Sequence, residues 1–145
     1  MSQPEVISVN ISQRTGERKE PVSEGRLETG RGLANDAHSG TNRQVSLLAM
    51  ESIAKIRDKG VDVHPGDFAE NLTTQGIDLV ALPVGTGLAV GQEVLLRVTQ
   101  IGKECHDRCS IYYQAGDCVM PREGIFAEVM KGGRIAPGDA IRIMP

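Results

Sequence analysis

The sequence predicts a mainly β, barrel-like domain with one clear helix and short helical turns. Three observations carry that expectation. Several runs are either alternating or continuously aliphatic, the patterns of half-buried and fully buried strands. Only one stretch follows the 3.6-residue period of a helix. The 17 glycines among 145 residues punctuate these runs closely, as many short strands require. No βαβ alternation is visible.

The elements follow in chain order. "EVISVNIS" (Glu5 to Ser12) sets Ile7, Val9 and Ile11 against Val6, Ser8 and Asn10, which predicts a half-buried strand. "QRTGERKEPVSEGRLETGRG" is rich in charge and glycine and reads as a loop or ragged hairpin. "RQVSLLAMESIAKIRDKG" begins as a strand over Arg43 to Leu47 and turns helical near Leu48 to Met50. Met50, Ile53, Ala54 and Arg57 then share a face, and the helix ends near Lys59 with Gly60 as its stop. "VDVHPGDFAENLTTQGIDL" is mostly connection, with a short strand around Asn71 to Thr74. "GQEVLLRVTQIG" (Gly91 to Gly102) is the strongest strand, being continuous, β-branched and aliphatic. "HDRCSIYYQAG" predicts one or two helical turns. "GIFAEVMKGG" and "GDAIRIMP" predict two closing strands around a Gly-Gly turn. The length fits a single domain over 1–145, with the barrel over about 5–144.

Composition narrows the function classes. Apolar residues make up 39% and charged residues 24%, the balance of a soluble globular chain. Aromatic content is 3% with no Trp, so the core must be aliphatic and base-stacking platforms are not expected. A net charge of −3 without a basic run argues against nucleic acid and against a polybasic membrane contact. No apolar stretch approaches the roughly 20 residues that span a bilayer. The N-terminus lacks the charged and apolar regions of a signal peptide. A cytoplasmic, reducing location is therefore expected, and three cysteines there favour free thiols or a metal site over a disulfide framework.

All three cysteines fall in "KECHDRCSIYYQAGDC", residues 103 to 118. A zinc or iron–sulfur site would need Cys105, Cys109 and Cys118 with a fourth ligand from His106, His64 or His38, and only one knuckle-like pair is present. A single working thiol fits the neighbours: Lys103, His106 and Arg108 surround Cys105, and positive charge favours the thiolate that attacks sulfur or binds a soft metal. Cys118, beside Val119 and Met120, reads as a small buried hydrophobe. Elsewhere, Asp36, His38 and Arg43 cluster among small residues, where Arg43 can pair bidentately with a phosphate. The alternative there is a solvated loop whose Asp and His bond their own backbone. Asn71, able to donate and accept, sits just before a strand. Phosphate-loop, dinucleotide and nucleophile-elbow motifs are absent from the sequence.

Taken together, "GLANDAHSGTNRQVSLL", "FAENLTT", "LPVGTGLAVGQEVLLRVTQIGKEC" and "GIFAEVMKGGRIAPGDAIRI" resemble, in order, a MOSC domain. This is the domain named for the C-terminal part of molybdenum cofactor sulfurases. The tail "ECHDRCSIYYQAGDCVMPREGIFAEV" is similar to a subgroup of small stand-alone bacterial MOSC proteins. The resemblance implies a β-barrel and a cysteine that carries sulfur or ligates molybdenum in a pterin cofactor. Cys105 matches that cysteine. Arg43 and Asn71 match positions lining the same pocket, and Asp36 and His38 match the family's D-x-H element. Where the family pattern often has Gly, this chain has Asn35, which tolerates the left-handed backbone of that turn.

The resemblance thus implies a binding or sulfur-carrier module for the molybdenum cofactor (molybdopterin), in which Cys105 accepts sulfane sulfur or ligates molybdenum and Arg43 and Asn71 hold the pterin phosphate. Its partner would be a molybdopterin-biosynthesis or sulfur-donor protein. A second reading is a molybdenum-dependent reductase similar to the amidoxime-reducing members of the family, and the three-cysteine metal site is a third. The sequence leaves open whether the chain is an enzyme. No pyridoxal-phosphate lysine motif is present, so the chain is not expected to make persulfide from cysteine by itself. A glycine-rich domain of this size is compatible with a monomer.

Overall fold

The computed structural model describes residues 3–14, 18–37, 39–41, 43–102 and 120–144. The described elements are β1 (Glu5–Ile11), β2 (Glu20–Val22), β3 (Gly25–Glu28), β4 (Gly32–Leu33), β5 (Val45–Ala49), α1 (Met50–Arg57) and β6 (Leu72–Gln75). There follow a 3-10 turn (Leu79–Ala81), β7 (Gly87–Val90), β8 (Val94–Ile101), α2 (Met120–Glu123), β9 (Ile125–Lys131), β10 (Gly133–Ile135) and β11 (Ile141–Met144). The mainly β expectation with one principal helix holds. The helical turns expected within 106–116 lie outside the described residues. Among those described, no helix is long and apolar enough to cross a membrane.

Eight strands form one sheet in the order β11-β7-β8-β9-β5-β6-β1-β2, and β10-β3-β4 form a second. The large sheet curls so that its two sides meet at β1. Glu5 bridges Ala140, and the Val6 amide donates to the Asp139 carbonyl at 2.9 Å. No continuous ladder joins those sides, so by hydrogen bonding the sheet is open rather than a closed barrel. The strand pairing departs from expectation at the C-terminus. β9 and β11 are not a hairpin: β9 lies between β5 and β8, while β11 pairs with β7. β7 itself is too short and glycine-flanked to stand out in the sequence.

One connection is a crossover. β5 and β6 run parallel and are joined through α1, although no repeated βαβ pattern surrounds them. Every residue of β5 is buried, because both faces of that strand are covered. Alternation then splits the apolar residues between two cores. Leu47, Leu72, Leu88, Leu96 and Ile125 belong to the larger aliphatic one, inside the curl. Leu48, Ile53, Ile56, Val61, Val63, Phe68 and Phe126 form the smaller one, beneath α1 on the outer face. The buried side of α1 is Ser52, Ile53 and Ile56, not the expected stripe through Ala54 and Arg57. Arg57 is exposed in the last turn and donates from Nε to the Val63 carbonyl at 2.7 Å. Gly60, at φ 89°, takes the left-handed conformation that stops a helix.

β1 also corrects the sequence pattern. A register shift between Val6 and Ser8 breaks its alternation. Val6 and Val9 reach the large core, Ile7 and Ile11 are half-buried, and Ser8 and Asn10 are buried on the other face. That face is where polar side chains gather.

Candidate functional site

Parallel pairing brings the starts of β5 and β6 side by side, since Leu47 lies opposite Leu72. Arg43 precedes one strand and Asn71 the other. On the far side of β5, Ser46 faces Phe126 of β9, and Phe126 faces Gln100 of β8. The Arg43 guanidinium lies over the Phe126 ring, 5.0 Å from its centroid. A cation there is held by the ring's negative face without losing its donors to a carboxylate. Arg43 is half-buried and forms no ion pair with a described residue. Beside it β8 ends: the Thr99 hydroxyl donates to the Phe126 carbonyl at 3.2 Å, and the Gly102 amide donates to the Gly124 carbonyl at 2.7 Å.

Asn71 is fully buried, and its side chain joins three elements. Oδ1 accepts from the Ser46 amide at 3.0 Å and the Ser46 hydroxyl at 3.2 Å, while Nδ2 donates to the Asn10 carbonyl at 3.3 Å. It thus clamps β5, β6 and β1 together at their common end. Asp36 is likewise buried. Its Oδ1 accepts from Lys19 Nζ at 2.7 Å and from the Ser12 amide at 3.0 Å. Asn35 beside it has φ 68°, the left-handed conformation expected of it. The structure therefore brings Arg43 and Asn71 to one end of two adjacent strands. It sets Asp36 and Asn71 behind the surface, engaged with the protein itself.

Cys105, Cys109, Cys118, His38 and His106 lie outside the described residues, as does any cavity shared between Cys105 and Arg43. His64 is exposed, with Nε2 3.0 Å from Asp62 and Nδ1 3.4 Å from Arg57. Among the described residues no group of three His, Cys, Asp or Glu could hold a metal ion. A cavity of about 420 Å³ opens elsewhere, between α1 and the chain after β6, with Ser52, Lys55, Ile77, Leu79 and Glu123 on its walls. Burial there works against the Glu123 carboxylate, but the hydrogen bonds from Lys55 and Ser52 and the charges of Lys55 and Arg122 prevail, so its pKa is lowered.

Two buried ionisable groups were not legible as site residues. Glu70, next to Asn71, is fully buried against the 64–69 turn. Its Oε2 accepts from the Thr73 hydroxyl at 2.7 Å, and that hydroxyl accepts in turn from Asn10 Nδ2 at 3.1 Å. Burial raises the Glu70 pKa, opposed by Thr73 and by the backbone of Gly66, Glu70 and Phe68. Its Oε1 has no hydrogen-bond partner among the described residues. Lys19 is the second. Its ammonium has no exposed surface, yet it sits in a charge-rich run that resembles a solvated loop. The signal that separates it from its neighbours is tertiary, since only the fold brings Ser12 and Asp36 to it.

The architecture is shared with solved structures. The YuaD protein from Bacillus subtilis superposes with a TM-score of 0.80 at 17% identity, over 97% of this chain and 94% of that one. YiiM from Geobacillus stearothermophilus gives 0.72 at 17% identity, over 98% and 75%. YiiM from Escherichia coli gives 0.68 at 22% identity, over 100% and 71%. No curated protein matches the chain in sequence. The family model of the MOSC domain matches residues 34–142, a span that runs from the Asp36 turn through both Arg43 and Asn71 to the last strand, and the chain belongs to the MOSC domain family.

Proposed function

We propose that this protein is a binding and sulfur-carrier module for the molybdenum cofactor, with Cys105 as the residue that accepts sulfane sulfur or ligates molybdenum. In this reading Arg43 and His38 hold the pterin phosphate, while Asn71, expected to share that contact, instead supports them from behind with Asp36, because its buried side chain is engaged with Ser46 and Asn10. The curled sheet, bridged at Glu5 and Ala140, is read as the family's barrel. The single observation that carries the reading is Arg43: a half-buried guanidinium on an aromatic ring, without a carboxylate partner among the described residues. Such a group suits an anionic ligand, because its fork of donors is oriented and unspent. It stands beside the end of β8, and Cys105 follows Gly102 by three residues in the chain.

The bound cofactor would supply a redox-active metal. The chain's own residues would bind and orient it. In the carrier role, the Cys105 thiolate attacks the outer sulfur of a donor persulfide. A new sulfur–sulfur bond forms at Cys105 as the donor's bond breaks, and the donor leaves as a thiolate, with no net oxidation. The partner is then a molybdopterin-biosynthesis or sulfur-donor protein.

Metal analysis of the purified protein, combined with persulfide loading of wild type and Cys105→Ser, tests the proposal. Molybdenum with pterin fluorescence, or persulfide that disappears in Cys105→Ser, is the expected result. Stoichiometric zinc or iron, or loading that survives the substitution, would overturn it.

A further inference from the structure

We infer that Lys19 is a positioning residue that couples the two loops of the anion site, acting on one through Asp36 and on the other through its own backbone. For what the loops serve, this rests on the proposed function; the coupling itself stands on geometry.

Lys19 lies just before β2, and its side chain points inward with no exposed surface. Nζ donates to Asp36 Oδ1 at 2.7 Å and to the Ser12 hydroxyl at 3.0 Å. The same Asp36 oxygen takes the Ser12 amide, and the Ala37 amide donates to the Ser12 carbonyl at 2.9 Å. The Asp36 turn is therefore fixed to the end of β1 by both side chain and backbone. Beyond it, the described ties before β5 include the Ser39 amide to the Asp36 carbonyl, the Gly40 amide to the Arg31 carbonyl, the Arg43 amide to the Thr41 hydroxyl, and the Val129 amide to Gln44 Oε1. Among the described residues, Asp36 is the last buried position before Arg43.

The other half of the coupling runs through the main chain. The Lys19 amide donates to the Gly66 carbonyl at 2.7 Å. The backbones touch so closely that a Cβ on Gly66 would fall 2.2 Å from the Lys19 carbonyl oxygen, and Gly66 has φ 94° besides. Arg18 adds an ion contact of 3.5 Å to Asp67. The 64–70 turn leads straight into Asn71. Residues 18 and 19 thus hold the approach to Arg43 with one hand and the approach to Asn71 with the other.

A buried ion pair adds little net stability compared with apolar residues of similar size, because desolvating both charges consumes most of their attraction. What it adds here is direction: a short, charge-assisted bond allows one placement of the turn, whereas an apolar contact allows many. That distinction is measurable. The double variant Lys19→Met/Asp36→Leu removes the direction and keeps the burial. We expect it to fold with core amides, such as those of Leu47 and Leu96, exchanging as slowly as in wild type. The amides of Ser39, Gly40 and Arg43 should exchange at least about tenfold faster, since local opening is set by local ties. Phenyl phosphate, a simple aryl phosphate probe titrated by NMR at fixed ionic strength, should bind about tenfold more weakly, because a misplaced donor fork loses its orientation. A double variant whose loop amides and phosphate affinity both match wild type would overturn the inference. If the double variant does not fold, Lys19→Ala, in which water can reach Asp36, reads the same two quantities by the same criteria. Arg43→Gln separates the two readings. If it binds phenyl phosphate as wild type does, the anion-site reading fails, while the exchange rates still decide whether Lys19 positions the turn.

Discussion

Within the curl of the large sheet, Val9, Leu47, Leu72, Leu88 and Leu96 meet other aliphatic side chains. One residue away on β1, β5 and β6, on the opposite face, Asn10, Ser46 and Thr73 meet Asn71, Glu70 and each other through hydrogen bonds. Both regions are fully buried, but by different means. The first is held by area removed from water, which has no preferred direction. The second is held by donors and acceptors that each accept only a few placements. The inner face therefore sets how stable the domain is, and the outer face sets where the starts of β5 and β6, and hence Arg43, come to rest.

Breaking one polar partner should be as costly as opening a hole in the core. Asp36→Ala leaves the Lys19 ammonium buried without its carboxylate, and a loss of about 3–5 kcal/mol in urea unfolding is expected. A loss under about 1 kcal/mol would mean that water replaces the carboxylate and that Lys19 is not held as a buried ion pair. On the inner face, Leu96→Ala should cost about 2–5 kcal/mol, with the variant unfolding at lower urea and an unchanged slope. The contrast sharpens in ligand binding: Leu96→Ala should leave phosphate affinity near wild type, whereas Asp36→Ala should weaken it.

Asn71→Ala tests the clamp directly. It strands the Ser46 amide of its side-chain acceptor, and about 1–3 kcal/mol should be lost. Faster hydrogen exchange at Ser46 than at Leu88 would locate that loss on the outer face. Unchanged exchange at Ser46 would show that the clamp is redundant.

The subtlest effect is in pH. The folded Glu70 carboxyl has a raised pKa, so the unfolded chain gives up its proton first, near pH 4.3. Glu70 therefore contributes most below that pH, and the contribution is lost as pH rises through the folded value. Glu70→Gln has no proton to lose there and should flatten that part of the profile. Thermal melts of both proteins from pH 4 upward, on a scale of about one pH step, would check it. Parallel curves would mean that Glu70 titrates normally.

Aliphatic strands were legible in the sequence and the polar face was not, for one reason. β5, β8 and β9 announce themselves through runs such as "VLLRV" and "IFAEV", whose periodicity is local. The bulge in β1 turned Val6 rather than Ile7 inward while Val9 and Ile11 kept the expected side, and a bulge leaves no mark on an alternating pattern until the partner strand is known. Lys19 and Glu70 carried no mark in the sequence, because burial of a charge depends on partners, seventeen and three residues away along the chain respectively, that only the fold brings into contact. Arg43, Asn71 and Asp36 were legible as a motif, but the burial of the last two came only with the fold. The cysteine segment that motivated the thiol reading lies outside the described residues, and its role stays with the proposal.

The crossover from β5 through α1 to β6 has a consequence for how this chain can be altered. Arg43 and Asn71 come together because two parallel strands begin at the same end and because the 64–70 turn is held to Lys19, not because of the helix end that lies between them. Asp58, Lys59 and Gly60 lie exposed at the far point of that excursion. Lengthening a surface connection there adds only a slowly growing entropic term. That exposed tip is a natural port for grafting a reporter or a second module, because the strand register and the 64–70 turn that set Arg43 against Asn71 are fixed elsewhere.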